Sequence, residues 1–214
     1  MVALILKDIY NLKKYMLSMC LMVFVVGLIS QNSSSVQSVI PMGGIIFGMM
    51  IFTTFSFDDM SNWTKYALVT PVTKKDIVKA KFIVLLILSF IGIIYGLLVT
   101  LFIDFFITKS LTLENVGIYL IITLLSFSIS EIFGSVAMPL VYKFGAEKAR
   151  NLLLLSYLIP VGVGFAILKI IEFLKITISI KMIVITLFSS PIIALIWSLI
   201  MYLISYYLFK KQDI

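Results

Sequence analysis

Apolar runs recur along this chain at lengths that polar positions rarely interrupt, and their spacing decides its architecture. Over 1–15, Val2, Ile5, Ile9 and Leu12 recur at alternating spacings of three and four, with Lys7, Asp8, Asn11 and Lys14 opposite. That pattern predicts an amphipathic helix lying at a membrane surface. Residues 16–29 make a short first span. Its layout of basic residues, apolar run and small residues from Ser30 to Ser35 also fits a secretory signal peptide, but the ordered amphipathic start favours an uncleaved span. After a charge-free loop over 31–38, a second span covers 39–57. Its Gly43, Gly44 and Gly48 permit close helix contact, and Gly44-x-x-x-Gly48 has the small-residue spacing of packed membrane helices. A polar segment over 58–81 leads into a third span ending near Ile103, and 104–115 is a short loop before a fourth span over 116–140.

The polar stretch 142–151 precedes a fifth span that begins at Leu152 and contains Pro160, Gly162 and Gly164, where a kink or break is predicted. From 176 to 209 the apolar run is broken only by Lys181, although about 20 residues suffice to cross. Counting back from Lys210 gives a sixth span over 189–209 and leaves 176–188 as a half-helix or re-entrant piece on the far side. The predicted fold is therefore an all-α integral membrane protein of six transmembrane helices, forming one domain over 1–214.

Composition strengthens this reading. Of 214 residues, 62% are hydrophobic and 13% charged, with mean hydropathy +1.17, more apolar surface than an aqueous fold can hide. There is no histidine, and the single cysteine, Cys20, sits in the first apolar run as a packing residue. Disulfide frameworks, zinc sites and Cys/His nucleophile pairs are thereby excluded within one chain. The net charge of +7 could suggest nucleic acid, but the basic residues are scattered between spans. Thirteen of the 17 fall on one side if the N-terminus is cytoplasmic, against Lys109, Lys169, Lys175 and Lys181 on the other. The excess of inner positive charge predicts a multi-pass cell-membrane protein with both termini in the cytoplasm.

The inner segment between the second and third spans is the most informative. Asp58 or Asp59 can cap a short helix that carries Trp63, Tyr66, Ala67 and Thr70 along one side, and Pro71 ends it. Thr73 and Asp76 then form a capping box, with Val72 and Ile77 spaced as its hydrophobic staple, so a second helix starts near Lys74. One reading of 58–73 is an ordinary loop whose Trp63 and Tyr66 sit at headgroup level. The other is a rigid helical elbow offering an aromatic face to a cytoplasmic partner.

The pair Asp58 and Asp59, then Trp63, Tyr66, Thr70-Pro71-Val72, the basic pair Lys74 and Lys75, and Ile77-Val78-x-x-Lys81 resemble the small type-2 ATP-binding-cassette permeases. A second inner stretch, Pro139-Leu140-Val141-Tyr142-Lys143-Phe144-Gly145-Ala146-Glu147-Lys148-Ala149-Arg150, is similar to a motif of the same family. Span count, length and the N-terminal helix agree over the whole chain. The resemblance extends to a bacterial subgroup that includes exporters of amphipathic peptides such as phenol-soluble modulins. It implies a permease paired with a second subunit, identical or related, and docked through the elbow to a separate cytoplasmic ATPase that binds ATP and Mg. Coupling to that ATPase would then fall on Asp58, Asp59, Trp63, Tyr66, Pro71, Lys74 and Lys75. Thr70 stands where the family usually has Leu.

No Gly-x-x-x-x-Gly-Lys-Ser/Thr occurs, so this chain holds no P-loop of its own and binds no cofactor by that route. Asp58-Asp59 lacks the third nearby carboxylate that a Mg²⁺ site of a membrane transferase needs, so no metal is expected. Glu131 falls about 15 Å from the cytoplasmic end of its span at 1.5 Å per residue, near mid-membrane. It either lines a translocation path or is held protonated by Ser128, Ser130 or a hydroxyl of a neighbouring helix. Lys169 and Glu172 read as a surface ion pair. The implied function is ATP-driven export of an amphipathic or hydrophobic substrate, such as a peptide toxin, lipid or drug. The alternative is a non-transporting immunity or regulatory protein that binds its partner through the same elbow.

The charge asymmetry generates a direct test of topology. In a Cys20→Ala background, single cysteines at Ser34 and Thr112 should react with an impermeant reagent from outside, and those at Ser61 and Gln212 only from inside. External labelling at Gln212 would require an odd number of crossings.

Overall fold

A computed structural model of the chain describes residues 1–30, 36–108, 113–145, 158, 160–166, 169 and 180–212. Among the described residues the architecture is carried by α1 (Val2–Ser30), α2 (Val39–Met60), α3 (Trp63–Val69), α4 (Lys74–Ile103), α5 (Leu113–Phe144) and α6 (Ile180–Lys210). A 3₁₀ turn, Val36–Ser38, precedes α2, and a π-helical turn, Asp104–Thr108, prolongs α4. There is no strand among the described residues. Among the described residues five helices are long and apolar enough to cross a membrane, their candidate spans being Val2–Ser30, Val36–Met60, Lys74–Ile107, Val116–Phe144 and Val184–Lys210.

Several boundaries differ from those predicted. The expected surface helix and short span fuse into one unbroken α1, about 43 Å long at 1.5 Å per residue. Its buried stripe is Leu4, Asp8 and Leu12, spaced by four, so Asp8 faces the bundle instead of water. The expected loop over 104–115 is helical as far as Thr108, with Asp104 buried and accepting a hydrogen bond from the Tyr119 hydroxyl. The far-side piece expected over 176–188 begins outside the described residues, and from Ile180 onward it belongs to the continuous α6. Pro191 lies inside that helix. Its missing N–H would leave the Leu187 carbonyl without a donor, and the Ser190 hydroxyl supplies one at 2.8 Å. Of the predicted fifth span, Pro160, Gly162 and Gly164 lie in the helical stretch 160–166, and the rest lies outside the described residues.

Packing is organised around an antiparallel crossing of α2 and α4. A Cβ on Gly92 would stand 2.4 Å from the Gly43 carbonyl oxygen and 2.6 Å from the Phe47 Cβ, so the two backbones touch. Gly96 lies equally close to Val39 and Ile40. The predicted glycines of α2 therefore do mediate close contact, with Gly43 at the tightest point. Ser130 of α5 donates to the Gly44 carbonyl at 2.8 Å and shares a hydrogen bond with Ser89 (3.0 Å), which ties α5 to the pair. In α1, Gly27 sits against Val99 and Ile103 of α4. Outward-facing Phe188, Ile192, Leu199 and Leu203 of α6 are each 62% exposed, as a lipid-facing surface requires.

The start of α1, the ends of α2, α5 and α6, and the start of α4 meet at one end of the bundle. There the Lys7 ammonium pairs with Asp58, Tyr142 packs edge-on against Phe55 and tilted against Phe209, and Lys74 reaches the Gln212 carbonyl at 2.6 Å. The α5 and α6 helices run parallel, since Ser128 meets Ser190, Glu131 meets Ser198 and Tyr142 meets Phe209.

Filling the crossing should be costly. Gly92→Ala should lower stability in detergent by about 1–3 kcal/mol, the usual penalty for overpacking a tight core. Gly117→Ala, with nothing within 4 Å of the added methyl, should leave the melting temperature unchanged or raise it. Equal melting of the two variants would refute the close crossing.

Candidate functional site

At the common end of the bundle the chain leaves α2, turns through Ser61 and Asn62, and forms α3 before entering α4. Neither Asp58 nor Asp59 caps this short helix, as the sequence suggested: α2 continues through Met60, and Asn62 begins α3 in the left-handed region at φ 51°. Asparagine is among the few residues that tolerate that conformation. At the other end Thr70 is extended, as a residue before proline should be, and its hydroxyl donates to the Ala67 carbonyl at 2.6 Å. Thr70 thus closes α3 with a bond that leucine could not make. The predicted capping box is present in full, with Asp76 N–H donating to the Thr73 hydroxyl at 3.2 Å and Thr73 N–H to the Asp76 carboxylate at 3.2 Å. Val72 and Ile77 join the same hydrophobic cluster, as a staple should.

The aromatic face expected on α3 is split. Ala67 is buried, and half-buried Trp63 turns back toward α1, where the Lys7 ammonium lies 4.8 Å from its ring centroid. Tyr66 and Val69 point the other way and are 66% and 88% exposed, with exposed Met60 nearby. Among the basic residues, Lys75 is exposed, whereas Lys74 is drawn to the end of α6 by the Gln212 carbonyl and lies 5.6 Å from the centre of the Phe209 ring. Asp59 and Pro71 lie on the exposed surface of the elbow.

Behind α3 lies an arrangement absent from the sequence-based site: a closed ring of four charges. Lys81 of α4 meets three acceptors, one for each of its protons: Asp58 Oδ2 at 2.6 Å, Thr54 Oγ1 at 2.9 Å and Asp8 Oδ2 at 3.0 Å. Lys7 pairs with Asp58 Oδ1 and lies 3.0 Å from Asp8 Oδ1. Each carboxylate therefore bridges both lysines, and the formal charge sums to zero. Asp8, Asp58 and Lys81 side chains are at most 8% exposed, and only Lys7, at 22%, retains contact with solvent. Buried charges are tolerated when they are paired and their hydrogen-bonding capacity is used, and removing one partner of such a set costs about 3–5 kcal/mol. Asp58 is thus engaged by two lysines at once.

A cleft of about 350 Å³ adjoins the ring, with Phe55, Tyr142 and Phe209 among its walls and Asn62, Thr64 and Lys65 of the elbow at its edge. Lys81 also sits 4.7 Å from the centroid of Phe55. The signal for the ring in the sequence is Lys81, the last charge before the apolar run that begins at Phe82. Such residues ask for partners.

Glu131 lies far from the elbow and is fully buried between α5 and α6. Its Oε1 accepts a hydrogen bond from Ser198 at 2.7 Å, so a neighbouring helix supplies the hydroxyl, while Oε2 is buried without a hydrogen-bonding partner among the described residues. Ser128, offered by sequence as a partner, instead lies 3.0 Å from Ser190, and Ser130 is engaged with Gly44 and Ser89. Of the second inner motif, Pro139 lies inside α5, Lys143 is exposed beside Phe144, and Gly145 ends the helix at φ 81°, its N–H donating to the Val141 carbonyl at 2.8 Å. Glu147, Lys148 and Arg150 lie outside the described residues, as does Glu172 of the expected pair with Lys169.

Membrane-length helices packed backbone to backbone, with buried charges neutralised internally, define a multi-pass membrane protein. The chain matches the ABC-2 family transporter protein family over residues 3–210, and it belongs to that family. It is therefore a permease component of an ABC transporter, a class that works in the membrane with an ABC ATPase. No curated protein matches the chain.

The Glu131 pairing generates a stability test. Glu131→Gln keeps an acceptor for Ser198 at similar volume and should melt within a degree or two of wild type in detergent. Glu131→Leu leaves the buried Ser198 hydroxyl without its acceptor and should lose about 1–3 kcal/mol. If Gln destabilised as much as Leu, the negative charge rather than the hydrogen bond would hold the seam.

Proposed function

We propose that this chain is the transmembrane subunit of an ATP-driven exporter whose elbow, α3, docks a separate cytoplasmic ATPase. The observation that carries the reading is the outward face of that elbow. Tyr66 and Val69 of α3, with Met60 at the end of α2, present apolar and aromatic surface at the end of the bundle, and aromatic anchors of this kind dominate protein interfaces. The elbow end also carries Lys7, Lys65, Lys74, Lys75, Lys81, Lys143 and Lys210, which supports placing it, and both termini, in the cytoplasm. The parallel run of α5 and α6 supports a further crossing between them, for six in all.

Two permease subunits, identical or related, would enclose the path, and closure of the ATPases on ATP would rock the helices through the elbow. Glu131 is proposed to face that path when α5 and α6 separate, where its carboxylate would suit a cationic or amphipathic substrate. A peptide of the modulin kind, a lipid and a hydrophobic drug all fit these chemical terms.

Tyr66→Ala with Val69→Ala should reduce co-purification of the ATPase at least tenfold while leaving expression and melting temperature near wild type, because neither side chain packs in the core. ATPase retained by this variant would move the docking surface elsewhere. Failure of any ATPase to co-purify with wild type would favour the regulatory reading of the elbow.

A further inference from the structure

We infer that the ring of Lys7, Asp8, Asp58 and Lys81 is a positioning device that fixes the elbow to the N-terminal helix, so that force applied at α3 is delivered to α1 as well as to α2 and α4. The inference rests on the proposed docking role of α3 for its consequence, although the geometry stands without it. Chain connectivity joins α3 to α2 and α4 only. The link to α1 is made by Lys7, whose ammonium contacts the Trp63 ring on one side and the two carboxylates on the other. Lys81 completes the ring from α4 and uses all three of its protons in doing so. A sequence of rigid contacts thus runs from α3 through Trp63 and Lys7 to Asp8 of α1, and through Asp58 to Lys81 of α4.

Three properties distinguish this ring from incidental surface pairing. Its members come from three helices and, except for adjacent Lys7 and Asp8, lie 23 or more residues apart. Each carboxylate faces both ammonium groups, Asp8 Oδ1 by charge alone because it accepts no hydrogen bond among the described residues, so rotation of any one helix would break two ion pairs at once. The charges are balanced, so the ring can be buried at the end of the bundle without an uncompensated ion. Lys7 is the most solvent-exposed member and the one that touches α3, which makes it the joint through which the elbow is held.

The test measures distance rather than stability. Spin labels placed at Asn11 of α1 and Lys65 of α3, both exposed, in a Cys20→Ala background should give a single narrow distance distribution for the purified chain in lipid nanodiscs. Lys7→Met with Asp8→Asn keeps the ring neutral, as a single Lys81–Asp58 pair, and should broaden that distribution at least twofold. Lys7→Arg should keep it narrow. Trp63→Leu, which leaves every charge in place, should broaden it too, and it serves if the double variant folds poorly. In the complex with the ATPase, the double variant should retain co-purification but lose at least tenfold of the hydrolysis stimulated by a cationic amphipathic helical peptide used as the probe. An equally narrow distribution in Lys7→Met/Asp8→Asn and in Trp63→Leu would overturn the inference, as would a broadened distribution with full stimulation. Broadening in a chain that recruits no ATPase would uphold the clasp and sink the exporter reading instead.

Discussion

The contact between the backbones of α2 and α4 at Gly43 and Gly92 sets the geometry of the rest. In a bilayer, helix association gains little from hiding apolar side chains, because lipid is equally apolar; it depends on close packing and on hydrogen bonds between helices. With no side chain at either position the two helices approach until carbonyl and Cα meet. That contact also fixes register. Thr54 lies 11 residues after Gly43, and Lys81 lies 11 residues before Gly92. Eleven residues are close to three turns, so both side chains return to the same face at the same height and meet at 2.9 Å. A slip of one turn at the glycines would carry Lys81 out of reach of Thr54 and Asp58.

The polar groups of the interior follow the same economy. Ser130 borrows the Gly44 carbonyl, accessible because glycine leaves it uncovered, and the Ser190 hydroxyl serves the carbonyl that Pro191 cannot. Ser198 meets Glu131. In a medium of low dielectric an unmet polar group is expensive, so each such residue is fixed to one geometry by its partner, and the seams between helices become specific as well as tight. The lipid-facing side of α6 has no such requirement and is simply apolar.

What was legible in the sequence was what is decided locally. The capping box at Thr73 and Asp76, the extended residue before Pro71, the glycines of α2 and the apolar lengths of the helices depend on neighbours within a few positions. The misread features all depend on partners far along the chain. Asp8 was assigned to a solvated face because the periodicity of 1–15 contains no trace of Asp58 or Lys81, more than 40 residues away. Asp58 was read as a cap for the same reason. Trp63 and Tyr66 share a helix side by spacing, but Lys7 draws one inward and leaves the other outside. For Glu131 the sequence leaves open a translocation path or a hydroxyl partner, and the hydroxyl it meets, Ser198, lies in a helix that no local rule connects to it. Lys81, at the threshold of an apolar run, is the available clue to a charged partner, although by sequence it serves only orientation and the family motif.

The composition of the ring bears on how the protein is made. A chain synthesised as far as the end of α2 has produced Lys7, Asp8 and Asp58 but not Lys81, so the nascent cluster holds two acids and one base. It carries an uncompensated negative charge and cannot be buried until α4 arrives with the second lysine. Insertion of the third membrane helix is thus the event that discharges the cluster and lets the first three helices close on one another. An intermediate truncated before Lys81 would keep this end of the bundle open and hydrated, in a form that membrane quality control can recognise as unfinished.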